Sequence, residues 1–596
     1  MLQLLALAAA ALLALAPTAG ALPKVSRVGK YLYTEDGNRF FIKGIAYQTQ
    51  GRKLPTQLKH NLIVFYSPPP VGLNLSFIFD TSHDFLVVDN LADSAACARD
   101  LPTLQKLGIN AIRAYSANSS LNHDECMQAL SSAGIYVILD LTLPLNGSID
   151  TTLPAWSTNT LDQYLRTIDA FEKYDNVLAY NVGNEVMTPT ATQAAPFLVA
   201  AARDIRAYLN SISSSALVGY AAIDGPASFV DNEADFLACS ESASIDIFGL
   251  NNYEWCGNEP NTTFDSLNSR FANYGVAAYF SEFGSENCNP NPRLWTEIPV
   301  MFRYSLHSTV LVPAINLVHF PLSEPMTNVW SGGVAFSYFT DMSKGHDFGM
   351  AALSPDNSSV TTNADFDNLA AKFNAVTFVN SPAKGASTPS LPSCPSPSPP
   401  GWNASNTLPA TPNDAACGCL ANELSCVFTP PSPDYMVLVG QLIGIACGLV
   451  AQAGGTCDDI SSNGVTGTYG RLAMCDPTIK LSYVMSQYYE LNHRVNAACS
   501  FSGNATINAS AKPSLLAAAA ASSCIPSPAI FTPSAPPVLV PDAGKKSNST
   551  SGGPTADNSG HSTNGGMSGI VVSRGLLVGV TAALGCVVGG MIWTLA

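Results

Sequence analysis

Two glutamates stand in matching surroundings. Glu185 closes the run Ala-Tyr-Asn-Val-Gly-Asn-Glu from residue 179, and Glu282, 97 residues later, sits in Ala-Ala-Tyr-Phe-Ser-Glu-Phe-Gly from residue 277. Each follows an apolar, strand-like stretch and precedes a polar turn. Either glutamate alone reads as an ordinary strand-end or helix-cap carboxylate. Two in the same layout suit the chemistry that splits a glycosidic bond. One carboxylic acid protonates the leaving oxygen and the other carboxylate attacks the anomeric carbon; a separation of about 5–5.5 Å would give retention through a covalent intermediate.

Such a pair must be brought to one place by the fold. Strand-like segments recur at Phe40–Ala46, Ala111–Tyr115, Tyr136–Leu141, Val177–Val182, Ala216–Ala222, Ile245–Leu250 and Val276–Phe280, with Val310–Asn316 or Val334–Tyr338 as the eighth. Helical patterns lie between several of them, at Ser94–Leu107, Asp124–Ala133, Leu161–Tyr174 and Ala195–Ile212. Eight β/α alternations predict an α/β chain with a TIM (β/α)8 barrel, whose catalytic groups sit at the C-terminal ends of its strands. An open doubly wound sheet is the competing architecture, but no nucleotide-binding glycine loop accompanies it. The stretch Arg52–His83 interrupts the pattern with a basic start, a triple proline and an apolar run. It reads equally as a long active-site loop or as a retained intron.

The chain has 596 residues, 44 acidic against 28 basic, and a formal net charge of −16. Nucleic-acid binding needs a basic stripe, so the acidic balance argues against it. The eight histidines show no metal-ligand spacing, and no Walker loop or HExxH is present, so no metal and no cofactor is expected.

The region from residue 22 to about 380 resembles the fungal β-1,3-glucanosyltransferases of glycoside hydrolase family 72. The resemblance rests on FFIKGIAYQ, CARDLPTLQKLGINAIRAYS, HDECMQALSSAGIYVILDL, VGNEV, FGLNNYEWCG, YFSEFGSENC and WSGGVAFSYF. It implies a retaining transglycosylase with Glu185 as acid/base, Glu282 as nucleophile and Asn184 as the group that binds the sugar 2-hydroxyl. Gln48, Tyr115, Asp140 and Tyr253 fall on the family's active-site positions. Phe336 stands where the family pattern has a tyrosine, with Tyr338 as a possible substitute. The activity implied is cleavage of a β-1,3-glucan and transfer to the non-reducing end of another, elongating wall glucan. A plain endo-β-1,3-glucanase would share both glutamates, and a wall glucan-binding protein without catalysis is the reading from another class.

Residues 381–412 are rich in proline and serine and read as a linker. Residues 413–527 hold Cys417, Cys419, Cys426, Cys447, Cys457, Cys475, Cys499 and Cys524, a density that suits a small disulfide-stabilised domain. CGCLANELSC, NGVTGTYGRLAMCD and KLSYVMSQYY make this domain resemble the X8 module, carbohydrate-binding module family 43, which implies glucan binding or support of the barrel. Tyr469, Tyr483, Tyr488 and Tyr489 read first as core residues there and otherwise as stacking faces. The resemblance also implies the pairs Cys97–Cys126 and Cys256–Cys288, with Cys239 able to reach Cys394; sequence alone leaves connectivity open.

Both chain ends speak of secretion. Residues 1–21 are an apolar run closed by Ala19-Gly20-Ala21, as in a signal peptide. Residues 528–567 are polar and Pro/Ser/Asn-rich, like a disordered stalk, and residues 568–596 end in an uncharged apolar tail. Small residues, a spacer and a terminal apolar tail form a GPI-attachment signal, with Asn564 or Asn558 as attachment residue. Fifteen cysteines become fourteen, an even number, when a tail containing Cys586 is removed. Nine sequons, from Asn74 to Asn548, fit the same compartment. The expected setting is the outer face of the plasma membrane and the cell wall, with a monomer acting on donor and acceptor glucan chains.

Overall fold

The computed structural model describes residues 21–53, 85–142, 148–256, 263–285, 292–302, 325–340, 347–431, 435–526 and 531–534. Apart from a few flanking residues, the leader, the insert 52–83, the stalk and the apolar tail lie outside them, as do Cys288, Val310–Asn316, Asn558 and Asn564.

Eight parallel strands close into a barrel. They are β1 (Ile42–Ala46), β2 (Ala111–Ala114), β3 (Tyr136–Asp140), β4 (Val177–Asn184), β5 (Leu217–Ile223), β6 (Ile247–Asn251), β7 (Ala277–Phe283) and β8 (Trp330–Ala335). β8 pairs with β1 and seals the ring. The eighth strand therefore lies just ahead of the predicted Val334–Tyr338 and overlaps it. Around the ring run α1 (Ser94–Leu107), α2 (Asp124–Ser132), α3 (Thr158–Phe171), α4 (Ala195–Ser211), α5 (Ala227–Ala238), α6 (Asp265–Phe271), α7 (Ile298–Met301) and α8 (Ala364–Asn374). The strands are buried on both faces, which explains their nearly continuous apolar runs. Local chemistry sets the helix ends. The Asp93 side chain accepts from Ala96 N–H at the start of α1, and Gly108 takes a left-handed φ of 70° at its end.

Inside the barrel, Ile42, Ala111, Ile138, Ala179, Ile247, Ala277, Tyr279 and Val334 pack together, with Leu32 of the N-terminal hairpin in the same cluster. A larger apolar layer joins the outer strand faces to the helices. The proline-rich segment lies against this surface: Trp402 is buried and packs on Phe236 at 5.4 Å, and Cys239 is disulfide-bonded to Cys394.

A second core belongs to the cysteine-rich region, built on α9 (Asp414–Glu423), α10 (Met436–Gln452), α11 (Pro477–Leu491) and α12 (Ala517–Cys524). Four disulfides tie it: Cys417–Cys475, Cys419–Cys524, Cys426–Cys499 and Cys447–Cys457. In the barrel Cys97 pairs with Cys126, and Cys256 is also disulfide-bonded. Tyr483 and Tyr489 are core residues here, while Tyr469 packs edge-on against Phe197 of the barrel at 5.6 Å. Thr158 N–H donates to Met474 carbonyl at 2.9 Å, so the two cores share backbone hydrogen bonding.

One acidic contact lies where α3 meets α9. Burial pushes Asp162 up to about 7, and a hydrogen bond shared with Asp414 adds to it, as do the charges of Asp414 and Asp476, while Arg166 opposes. The folded chain therefore keeps a proton that an unfolded aspartate releases near pH 4, so this contact loses stability as pH rises from about 4 to about 7. Asp162→Asn removes the cost. Because the site is half open to solvent, the expected gain in unfolding free energy at pH 7 is about 1 kcal/mol, with hardly any change at pH 4. Urea denaturation at both pH values measures it.

Candidate active site

The site is assembled at the C-terminal ends of the strands, around a buried arginine. Arg113 on β2 is fully buried, so its charge must be met in full by the groups around it. Its Nη2 donates to Asp140 Oδ2 at 2.7 Å and Asn184 Oδ1 at 2.8 Å, and its Nη1 donates to Glu282 Oε1 at 3.1 Å. The fork of the guanidinium thus links the ends of β3, β4 and β7.

Glu282 receives a phenol on each oxygen: Tyr115 donates to Oε1 at 2.9 Å and Tyr253 to Oε2 at 2.7 Å. Burial pushes this carboxyl up to about 7; Arg113 pulls it down, the charge of Glu185 pushes it up, and the Tyr253 and Tyr115 hydroxyls pull it down. Burial likewise drives both phenols well above their ordinary range, so they remain proton donors. This is the setting of an anion kept reactive in a water-poor pocket.

Glu185 approaches from the neighbouring side. β4 slips register against β5 between Asn181 and Asn184. Glu185 itself takes a left-handed φ of 50°, its N–H donating to Ala221 carbonyl at 2.8 Å. A non-glycine residue in that region carries strain, which is retained where it aims a side chain. Gly183 leaves room beside it: a Cβ there would lie 3.0 Å from the side chains of Leu198 and Val186, tighter than ordinary packing. Asn251, at the end of β6, donates to Glu185 Oε1 at 2.8 Å and to Asn184 Oδ1 at 3.2 Å. Ser281 in turn fixes Asn251 by donating to its Oδ1 at 2.7 Å. Arg113, Asn184 and Asn251 therefore connect the two glutamates in one hydrogen-bonded chain.

The other residues picked from sequence divide by role. The Asn184 side-chain oxygen is used by Arg113 and Asn251, and its amide nitrogen has no partner among the described residues, so its N–H groups remain for a ligand. Asp140 is buried, and its oxygens are taken by Arg113 and Asn181, so it supports the arginine from below. Gln48 accepts from Tyr115 N–H at 3.0 Å and Ser116 N–H at 3.2 Å, which fixes the backbone carrying the first phenol. Tyr338 is not brought to the site. Its side chain is buried behind the strands, against Tyr47 at 5.6 Å and Phe339 at 4.7 Å. Phe336 instead stands edge-on to both Tyr115 and Tyr253 at 6.3 Å, as an apolar wall. In a continuous strand positions 336 and 338 would share one face, but β8 ends at Ala335, so that alternation does not carry on through them.

Sequence reasoning passed over Arg113 and Asn251. The signal for the first was present, since an arginine inside the apolar run Ala111–Tyr115 needs a buried anion. Asn251 carried only the weaker signal of a polar residue at a strand end. Among the described residues, no group of three or more His, Cys, Asp or Glu could hold a metal ion.

Comparison with known proteins bears on this arrangement. Residues 18–377 match the sequence model of the glycoside hydrolase family 72 glucanosyltransferases, and residues 424–506 match that of the X8 domain. The chain is 33% identical to the 1,3-β-glucanosyltransferase gas1 of Schizosaccharomyces pombe over 515 residues, covering 85% of this chain and 82% of the other. It is 33% identical to the 1,3-β-glucanosyltransferase GAS2 of Saccharomyces cerevisiae over 481 residues, covering 78% and 76%. A solved structure of a Saccharomyces cerevisiae Gas2p mutant in complex with laminaritetraose and laminaripentaose superimposes with a TM-score of 0.66 at 31% identity, over 83% of this chain and 96% of that one.

Proposed function

The chain belongs to the glucanosyltransferases of glycoside hydrolase family 72, and from that premise we propose how its own residues carry out the transfer. It is a 1,3-β-glucanosyltransferase. The observation that carries the assignment of roles is the asymmetry of the two glutamates. Glu282 is buried and gripped by two phenols and a guanidinium, while Glu185 is held by one amide on a strained turn.

Glu282 attacks the anomeric carbon of a β-1,3-linked donor as Glu185 protonates the departing glycosidic oxygen. The reducing-side fragment leaves with that proton, and the glycosyl group stays esterified to Glu282. Glu185, now a carboxylate, takes the proton of the 3-hydroxyl at the non-reducing end of a second glucan. That oxygen displaces Glu282, restores the β-linkage and lengthens the acceptor. Asn184 offers its amide to the sugar 2-hydroxyl, and Phe336 excludes water beside the two phenols. Transfer wins over hydrolysis when the acceptor site is filled and water is poorly placed.

The remaining assignments follow from sequence. The leader 1–21, the sequons and the tail 568–596 support secretion and GPI attachment at Asn564 or Asn558. They would place a monomer at the outer face of the plasma membrane and in the wall. We assign 22–380 to the catalytic domain, 413–527 to the X8 domain and 528–567 to a stalk. The test is a product assay on the secreted form ending before Gly566. Incubated with a reduced laminari-oligosaccharide, it is expected to yield chains longer than the substrate by mass. Only shorter products would make it a hydrolase, and no change in a folded protein would make it a binding protein.

A further inference from the structure

Behind the acid/base turn lies a carboxyl that the reaction does not touch. Glu233 on α5 is fully buried, and neither of its oxygens has a hydrogen-bond partner among the described residues. Its immediate polar neighbour is the Tyr220 hydroxyl of β5. That hydroxyl accepts from Met187 N–H at 3.0 Å and donates to no other described residue. The Tyr220 ring also closes under Gly183, where a Cβ would meet it at 3.1 Å. Tyr220 and Glu233 thus stand directly beneath residues 183–187, the segment that throws Glu185 into its left-handed conformation.

Among the described residues, the charges that act on Glu233 are all of one sign. Burial pushes its carboxyl well above the usual range; the Tyr220 hydroxyl offsets part of that, and the charges of Glu185 and Asp224 add to it. Among the described residues, Tyr274 also feels its charge. Among the described residues no cation acts on it, in contrast to Asp140 and Glu282, which share Arg113. A protonated carboxyl and a phenol are able to satisfy each other, since each carries one O–H and a spare acceptor. A leucine would fill the volume, but it would leave the Tyr220 hydroxyl without an anchor.

We propose that Glu233 is a positioning residue for Glu185: acting through the Tyr220 hydroxyl, it fixes the Val186–Met187 backbone and so the place from which Glu185 exchanges its proton with substrate. This rests on the acid/base role given to Glu185 above. Misplacing a proton donor slows steps that need the proton and spares those that do not.

Two substrates separate these cases: a laminari-oligosaccharide, and a dinitrophenyl glycoside of a long β-1,3-gluco-oligosaccharide, whose leaving group needs no proton. In Glu233→Ala and in Tyr220→Phe, kcat on the oligosaccharide is expected to fall about 10- to 100-fold with KM within about twofold. The dinitrophenolate burst keeps its full amplitude, and azide, which needs no general base, speeds turnover of the aryl glycoside. Glu233→Gln, neutral and of the same shape, restores the oligosaccharide rate. The burst amplitude counts folded sites, so a variant that merely folds poorly is recognised by a reduced burst. A normal oligosaccharide rate in both variants overturns the proposal. So does equal loss on both substrates, or a Gln variant no better than Ala. Glu185→Gln in the same assay is the control. If azide fails to rescue it, the role of Glu185 falls, whatever Glu233 does; if azide rescues it while the Glu233 variants behave as the parent, only the role of Glu233 falls.

Discussion

Glu282→Gln abolishes transfer, with a loss of about a thousandfold or more in kcat, and azide does not restore it. The amide that replaces the carboxylate cannot form the glycosyl ester, so no burst of aryl leaving group appears even with an activated donor. Glu185→Gln loses a comparable factor on laminari-oligosaccharides but behaves differently with an aryl donor. The nucleophile is intact, the leaving group departs without a proton, and the glycosyl-enzyme accumulates. Azide then captures it as a glycosyl azide of retained configuration. The contrast depends on geometry already described: Glu282 lies buried between Tyr115 and Tyr253, and Glu185 reaches in from a turn held by Asn251. Burst kinetics and product configuration by nuclear magnetic resonance check both halves. Azide rescue of Glu282→Gln, with none for Glu185→Gln, would exchange the two roles.

The second large effect belongs to Arg113. In Arg113→Met the buried carboxylates of Asp140 and Glu282 lose their shared cation. Removing one partner of a buried ion pair costs roughly 3–5 kcal/mol of stability, because the remaining charge is left uncompensated. The catalytic consequence has a definite sign. In the role proposed for it Glu282 must be ionised to attack, so activity is expected to disappear as pH falls through its pKa. Arg113 pulls that pKa down against burial. Without it the carboxyl rises, and the acidic limb of kcat/KM moves to higher pH. Tyr115→Phe and Tyr253→Phe each remove a hydrogen bond to the anion and move the limb the same way by less. Arg113→Lys keeps a charge but not the planar fork, so it cannot serve Asp140, Glu282 and Asn184 together. Urea denaturation and the pH profile of kcat/KM are the measurements. An unshifted limb in Arg113→Met would make the arginine a scaffold only.

These expectations differ in how far they could be reached from the chain alone. That both glutamates would stand in one candidate site could be read because each ends an apolar run, and a barrel gathers strand ends at one mouth. The barrel was legible for the same reason: strands buried on both faces must be apolar throughout, and the alternation with amphipathic helices repeats. The dense cysteines marked the X8 region, since a modest core needs covalent help.

What the sequence did not carry was who touches whom. Asp140 looked like a substrate ligand, and the fold makes it the counter-ion of Arg113. Tyr338 looked like a stand-in for the missing tyrosine, and the fold buries it behind the strands while Phe336 faces the phenols. Glu233, in the helical stretch after β5, had no local sign of function at all. The reason is physical. Hydrophobic period and strand-end position are properties of neighbours along the chain, and they determine which elements form. Hydrogen-bond partners in this site are separated by as many as 169 residues, as for Arg113 and Glu282. Only closure of the barrel, with the register slip of β4 and the left-handed turn at Glu185, decides which polar groups meet.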